Sequence, residues 1–297
     1  MRIVSLLPAA TEIVFALGLG EELVGRSHAC DWPPEALDVP VMTAPAGSRA
    51  HLDRAALLEA EPDLILTQEL CDVCALTTRE VKDAAAELGE EVTVVSLEPE
   101  TIEGILNSIS TVGAFAEAED EAVGLLELLR ERLGAIENRV LERRLAGIAP
   151  RRVVVLEWLD PPFASGHWIP EMVRRAGGWD LLGTEGSRSV ATTWERLREM
   201  DPEQLVLAPC GLSALEAAAE YARVPLPEWF AELRAVREGE LFAVDGNGLF
   251  SRPGPRVIEG IALLAQLFDP EGFDGFAPPE SWVPLYAREE SSGASFG

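Results

Sequence analysis

Seven short apolar runs recur along the chain: Ile3–Leu6, Leu23–Arg26, Leu64–Thr67, Val92–Ser96, Val153–Trp158, Gln204–Ala208 and Leu241–Val244. Most lack the in–out alternation of a half-exposed strand, which predicts strands covered on both faces, as in a parallel sheet. Between them the pattern turns helical. Thr11–Leu17 is stopped by Gly18, Thr78–Leu88 by Gly89 and Pro170–Ala176 by Gly177-Gly178, where a helix end takes a left-handed residue. Strands and helices in alternation predict an α/β protein. One stretch breaks the rhythm. From Glu117 to Leu145 the chain is charged, leucine-bearing and free of proline. As one helix at ~1.5 Å per residue, it would be a rod of about 40 Å.

The predicted organisation is therefore two doubly wound parallel-sheet lobes joined by a single long α-helix, with a ligand cleft between the lobes. Residues 1–116 form the N-terminal lobe, 117–148 the connecting helix, 149–285 the C-terminal lobe and 286–297 a flexible tail. In open α/β sheets, ligands bind beyond the carboxyl ends of the strands, so the loops that follow each strand carry the candidate chemistry.

Charge narrows the class of partner. The 297 residues hold 51 acids and 24 bases, a net charge of −27, with Lys82 the only lysine. Such a surface repels phosphate backbones and anionic lipid, which argues against nucleic-acid and membrane-surface roles. No apolar run approaches the ~18 residues of a membrane span. The opening Met1-Arg2-Ile3-Val4-Ser5-Leu6 has the basic start and apolar run of a secretory leader, yet Pro8, Thr11 and Glu12 interrupt it. As it stands the sequence reads as cytoplasmic, or as periplasmic or extracellular if an export signal was removed.

The scarce residue types gather at strand exits. Cys30 follows the second strand in Ser27-His28-Ala29-Cys30-Asp31-Trp32-Pro33-Pro34, and Cys71 and Cys74 follow the third in Gln68-Glu69-Leu70-Cys71-Asp72-Val73-Cys74. Cys210 follows Ala208, and His167 lies in Ala164-Ser165-Gly166-His167-Trp168. Three readings stand for the thiols: a shared zinc or iron–sulfur site on Cys30, Cys71, Cys74 and Cys210, a redox dithiol at Cys71/Cys74, or small buried hydrophobes. His51 precedes a helical pattern and reads as solvated. Trp32 and Trp168 offer flat rings to a planar ligand. In Ser251-Arg252-Pro253-Gly254-Pro255-Arg256 the two arginines either hold an anionic ligand group or pair with the surplus carboxylates. No dinucleotide or phosphate loop, no Gly-x-Ser-x-Gly elbow and no evident acid–base pair is present.

The order of these loops resembles the cobalamin-type substrate-binding proteins of ABC importers, over roughly residues 2–268. Ser5-Leu6-Leu7-Pro8-Ala9-Ala10-Thr11-Glu12 is similar to that family's first strand and helix, Ser27 to Pro34 to its second strand exit, Pro161 to Gly178 to the start of its second lobe, and Ser251 to Arg256 to its last cleft loop. The resemblance implies a binding protein rather than an enzyme. It implies a corrinoid, siderophore, haem or metal ligand between the lobes, contacted by Pro8, His28, Trp32, Gly166, His167, Trp168 and Arg252. Cobalt of a corrinoid would find His28, His167 or a thiolate as an axial ligand. The partner implied is an ABC permease, docked on one carboxylate per lobe, Glu80 and Glu195. Two features depart from the family: the chain starts at the first strand, and a cysteine quartet is not general among cobalamin binders. They leave two alternatives, a cytoplasmic metal or iron–sulfur protein using the four cysteines in the same cleft, and a thiol–disulfide redox protein at Cys71/Cys74.

Overall fold

The computed structural model describes residues 1–46, 49–68, 78–89 and 91–287. Packing divides the chain into two compact units, Met1–Arg132 with Arg252–Val257, and Leu133–Ser251 with Ile258–Gly297.

The first unit runs β1 (Ile3–Ser5), α1 (Pro8–Ala16), β2 (Leu23–Arg26), β3 (Thr43–Ala46), β4 (Arg49–Leu52), α2 (Arg54–Ala60), β5 (Leu64–Thr67), α3 (Thr78–Ala85), β6 (Thr93–Ser96) and α4 (Ile102–Phe115). Its main sheet has the order β2-β1-β5-β6 and every pair in it is parallel. Val4 and Ile65 of the sheet pack with Leu57 and Ala60 of α2 and Val81, Ala84 and Ala85 of α3. Helix α1 packs on α4, whose Ile102, Ile105, Leu106, Ile109 and Val112 are buried. Side-chain caps fix two helix starts, Asp53 accepting from the Ala56 N–H and Thr101 from the Gly104 N–H, each satisfying an otherwise orphaned amide. Helix α1 begins three residues earlier than its sequence pattern, because Pro8 occupies the first turn, where a missing N–H costs nothing.

Helix α5 (Glu119–Leu145) starts in the first unit and ends in the second. The chain turns into it at Glu117, which takes φ +56°. The turn is tight: a Cβ on Gly113 would lie 2.5 Å from the Cβ of Ala122. Along the helix Ala122, Leu126, Leu129, Leu133, Ile136 and Val140 are buried, three and four residues apart on one stripe. Acids crowd its first turn and Arg143 and Arg144 its last, the arrangement that complements the helix dipole.

The second unit continues with β7 (Arg151–Leu159), β8 (Pro162–Ala164), α6 (Ile169–Arg175), β9 (Gly178–Asp180), β10 (Val190–Ala191), α7 (Trp194–Met200), β11 (Gln204–Leu207), α8 (Ala214–Tyr221), α9 (Arg234–Arg237), β12 (Leu241–Val244), α10 (Gly246–Leu249), α11 (Val257–Phe268) and β13 (Trp282–Leu285). Its seven-stranded sheet is mixed, not the purely parallel sheet that the apolar runs predict. Strands β9, β7, β11 and β12 are parallel, whereas β8, β10 and β13 pair antiparallel at the margins. Of the parallel strands, β7, β11 and β12 are the continuous apolar ones, whereas β9 is Gly178-Trp179-Asp180 with Trp179 exposed. The antiparallel strands are short and proline-bearing or half-exposed, so their sequences carry no core signal. Val154, Leu156, Leu205 and Leu207 form the centre of this core, with Leu197 of α7, Ala217 and Tyr221 of α8, and Phe230. The hairpin β3–β4 has no counterpart in the sequence reading for the same reason. No helix among the described residues is long and apolar enough to cross a membrane.

Candidate functional site

In the first unit the exits of β1 and β2 meet the segment Arg252–Val257. Glu12, on α1, is almost fully buried, a costly place for a carboxylate unless it is paired. Arg256 meets it with two hydrogen bonds, from Nε to Oε2 at 2.9 Å and from Nη2 to Oε1 at 2.7 Å. Arg252 Nη1 donates to Glu12 Oε1 at 3.2 Å and to Asp31 Oδ1 at 2.6 Å. Two guanidinium groups and two carboxylates thus form one neutral cluster, in which Arg252 is buried and Asp31 half-exposed. Burial acts to raise the Asp31 carboxyl, but the hydrogen bond and charge of Arg252, helped by Arg256, outweigh it and hold it below its ordinary value. Both arginines are therefore paired with surplus carboxylates, one of the two readings their sequence left open.

The cluster organises an aromatic surface. The guanidinium of Arg256 lies over the Trp32 ring, 4.7 Å from its centroid, within cation–π range. Trp32 is 45% exposed, a large fraction for an indole. Phe15, Trp32, Pro33, Pro255 and Arg256 border an open concavity of about 270 Å³. The loop that presents Trp32 is held from beneath by buried Arg26, which donates to the carbonyls of Ser27, Cys30, Leu37 and Val39. Pro8, by contrast, sits at the start of α1, half-buried.

His28 lies beside the same loop. Its Nδ1 is 2.7 Å from Thr43 Oγ1, which also accepts from the His28 N–H. Burial and, less strongly, the charge of Arg26 lower its pKa, which favours the neutral imidazole that ligates metals. Cys30 is different. It is fully buried, its Sγ is 3.0 Å from Thr11 Oγ1, and burial pushes its pKa up to about 11 despite opposing hydrogen bonds. Such a thiol is protonated at neutral pH and behaves as a core residue, whereas a metal ligand is a thiolate. Cys71 and Cys74 lie outside the described residues. Cys210, at the β11 exit of the second unit, is exposed. Among the described residues no three His, Cys, Asp or Glu side chains are grouped to hold a metal ion.

In the second unit the chemistry centres on Glu157, near the end of β7. Its Oε1 accepts from the Gly166 N–H at 2.8 Å and its Oε2 from Ser189 Oγ at 2.5 Å. Burial raises its pKa, the two hydrogen bonds oppose that, and the charge of Asp180 adds to the rise. Asp180 is itself buried, accepting from Ser165 Oγ and from the N–H groups of Leu182 and Gly183, and burial raises its pKa too. Gly166 is a close approach: a Cβ there would run into the backbone of Ser187, Arg188 and Ser189. His167 follows at φ +51°, half-buried, its N–H donating to the Ser187 carbonyl and its own carbonyl accepting from Gly186.

Trp168 departs from its predicted role. It is buried, and its indole N–H donates to the Phe250 carbonyl at 2.7 Å, so its ring belongs to the core of the second unit and is no platform for a ligand. Glu80 and Glu195 are both exposed and both stand in the first turn of a helix, α3 and α7. Glu157, Ser189 and Asp180 were not singled out from the sequence. Glu157 carried a usable signal, a lone acid inside the apolar run of β7.

Comparison with known proteins agrees with this architecture. Residues 3–247 match the family model described as periplasmic binding protein. An uncharacterised ABC transporter substrate-binding lipoprotein, YvrC of Bacillus subtilis, is 24% identical over 282 residues, covering 92% of this chain and 81% of the relative. The vitamin B12-binding protein of Vibrio cholerae is 24% identical over 264 residues, 88% of this chain and 86% of that one. Among solved structures, a periplasmic heme-binding protein from Pseudomonas aeruginosa superposes with a TM-score of 0.75 at 22% identity, covering 97% and 99% of the two chains, a likeness of fold. These relatives are described as periplasmic or as a lipoprotein, which gives no support to the cytoplasmic reading.

Proposed function

This chain belongs to the periplasmic binding protein family, and on that premise we propose that it binds a corrinoid outside the cytoplasmic membrane and delivers it to an ABC permease. The family is one of binding proteins rather than enzymes. Relatives named as vitamin B12-binding, alignable over most of their length, support the corrinoid class.

The observation that carries the reading is Trp32. An indole 45% exposed at a strand exit, backed by an arginine that is itself fixed by Glu12, is a pre-organised stacking surface. A flat, partly apolar macrocycle meets such a surface with little loss of side-chain freedom. Glu80 and Glu195 serve as the permease contacts in this reading, each exposed and presented from a first helical turn. Titration calorimetry with cobalamin, cobinamide and haem tests the proposal. A corrinoid is expected to give a saturable heat at one site; haem alone binding would replace the ligand, and silence from all three would remove the class.

A further inference from the structure

The second unit carries a distinctly basic patch in an acidic protein, at the end of its sheet opposite the Glu157 loop. Residues 139–152 contain five arginines and a single acid, Glu142, whereas the whole chain has a net charge of −27. Four of these, Arg143, Arg144, Arg151 and Arg152, line a concavity of about 360 Å³ formed by the end of α5, the start of β7 and the end of α11, against two carboxylates in the same lining, Glu203 and Asp269. Its walls include buried Val140, Phe268 and Phe273 and the half-exposed Ile148. Two of the arginines are committed to acids: Arg143 to Asp269 and Arg151 to Glu240. Arg152 gives its Nη2 to the Met200 carbonyl and remains exposed. Arg144 is exposed and makes no side-chain ion pair or hydrogen bond among the described residues.

An acidic chain has abundant carboxylates with which to neutralise its arginines, so a concave site where cations outnumber acids points to an anion from outside. The apolar wall adds a second requirement. Inorganic ions gain nothing from Phe268 and Ile148, whereas an acid carrying a compact apolar body is matched at both ends. The size falls at the low end of small-molecule pockets. We propose that this pocket is a second ligand site, for a small organic anion with an aromatic or branched aliphatic body, its acid group at Arg144 and Arg152 and its body against Ile148 and Phe268. Arginine suits the acid group because its fork donates two parallel hydrogen bonds to a carboxylate, sulfonate or phosphate.

The test is calorimetry of the full chain with naphthalene-1-sulfonate, its neutral analogue naphthalene-1-methanol, and inorganic sulfate. The sulfonate is expected to bind saturably, with the neutral analogue and sulfate each at least tenfold weaker. The double variant Arg144→Ala/Arg152→Ala should weaken the sulfonate at least tenfold. Arg144→Glu, at a side chain with no described partner, provides the same readout if the double variant is poorly folded. Absent sulfonate binding, equal binding of the neutral analogue or of sulfate, or unchanged affinity in a folded variant would each overturn the proposal. None of these outcomes bears on the corrinoid reading, which rests on other residues.

Discussion

Arg256 and Glu12, 244 positions apart in the sequence, form a two-point ion pair of 2.9 and 2.7 Å in the first unit. Because Glu12 is nearly inaccessible, the pair has to be satisfied internally. Arg252 completes it, and Arg256 in turn backs Trp32. A carboxylate on the first helix thereby fixes the exposed ring on the second strand's loop.

Removing that carboxylate should be costly. Glu12→Ala leaves two largely buried guanidinium groups without their shared partner, a change expected to cost about 3–5 kcal/mol of folding stability. Urea unfolding of the variant against the parent checks it. A loss below about 1 kcal/mol would mean that the cluster is held by something else.

Gly166 occupies a place without room for a side chain. Gly166→Ala should force the Ser187–Ser189 backbone away and lower stability by about 1–3 kcal/mol. It should also weaken the hydrogen bonds to Glu157. Hydrogen exchange at residues 186–190 is the sharper reporter: faster exchange there, with little change in the first unit, is the expected pattern.

Asp180 and Asp31 should give opposite pH signatures. The Asp180 pKa is raised by burial, so between the ordinary carboxylate value and the raised one the folded state holds more protons than the unfolded. Its contribution to stability therefore declines as pH rises through that window. Asp31 is held low by Arg252, so its contribution is present above the ordinary value and is lost as pH falls through the depressed one. Denaturation midpoints of Asp180→Asn and Asp31→Asn, each subtracted from the parent across pH 3–7, should slope in opposite directions. Parallel slopes would contradict the assignment.

The thiols should separate by reactivity. In a Cys71→Ser/Cys74→Ser background, exposed Cys210 should react promptly with a disulfide reagent at pH 8. Cys30, buried with a pKa of about 11, should react only on unfolding. Two promptly reactive thiols would show that Cys30 is accessible and reopen its role as a ligand.

What could be read from the sequence follows from how local its causes are. Most of the parallel strands are continuous apolar runs, and the long helix is a proline-free stretch with its own buried stripe, so both announce themselves within a few residues. Trp32 was legible because a strand-exit position and an aromatic residue coincide. The partnership of Glu12 with Arg252 and Arg256 was not, since it joins the two ends of the sequence, and no local pattern marks one glutamate among many acids. Trp168 misled for a related reason: from sequence it matches Trp32, an indole in a strand-exit loop. Only the Phe250 carbonyl, 82 positions away, turns it into a core residue. The antiparallel strands β8, β10 and β13 were hidden by their brevity and by prolines.

Calorimetric titration of cyanocobalamin into the parent protein and into Trp32→Ala is the most direct measurement of the central claim. The expected result is saturable binding at one site in the parent, weakened at least about tenfold when the ring is removed. No saturable binding of the corrinoid by the folded parent would contradict the account, and equal affinity in the two proteins would take Trp32 out of the site.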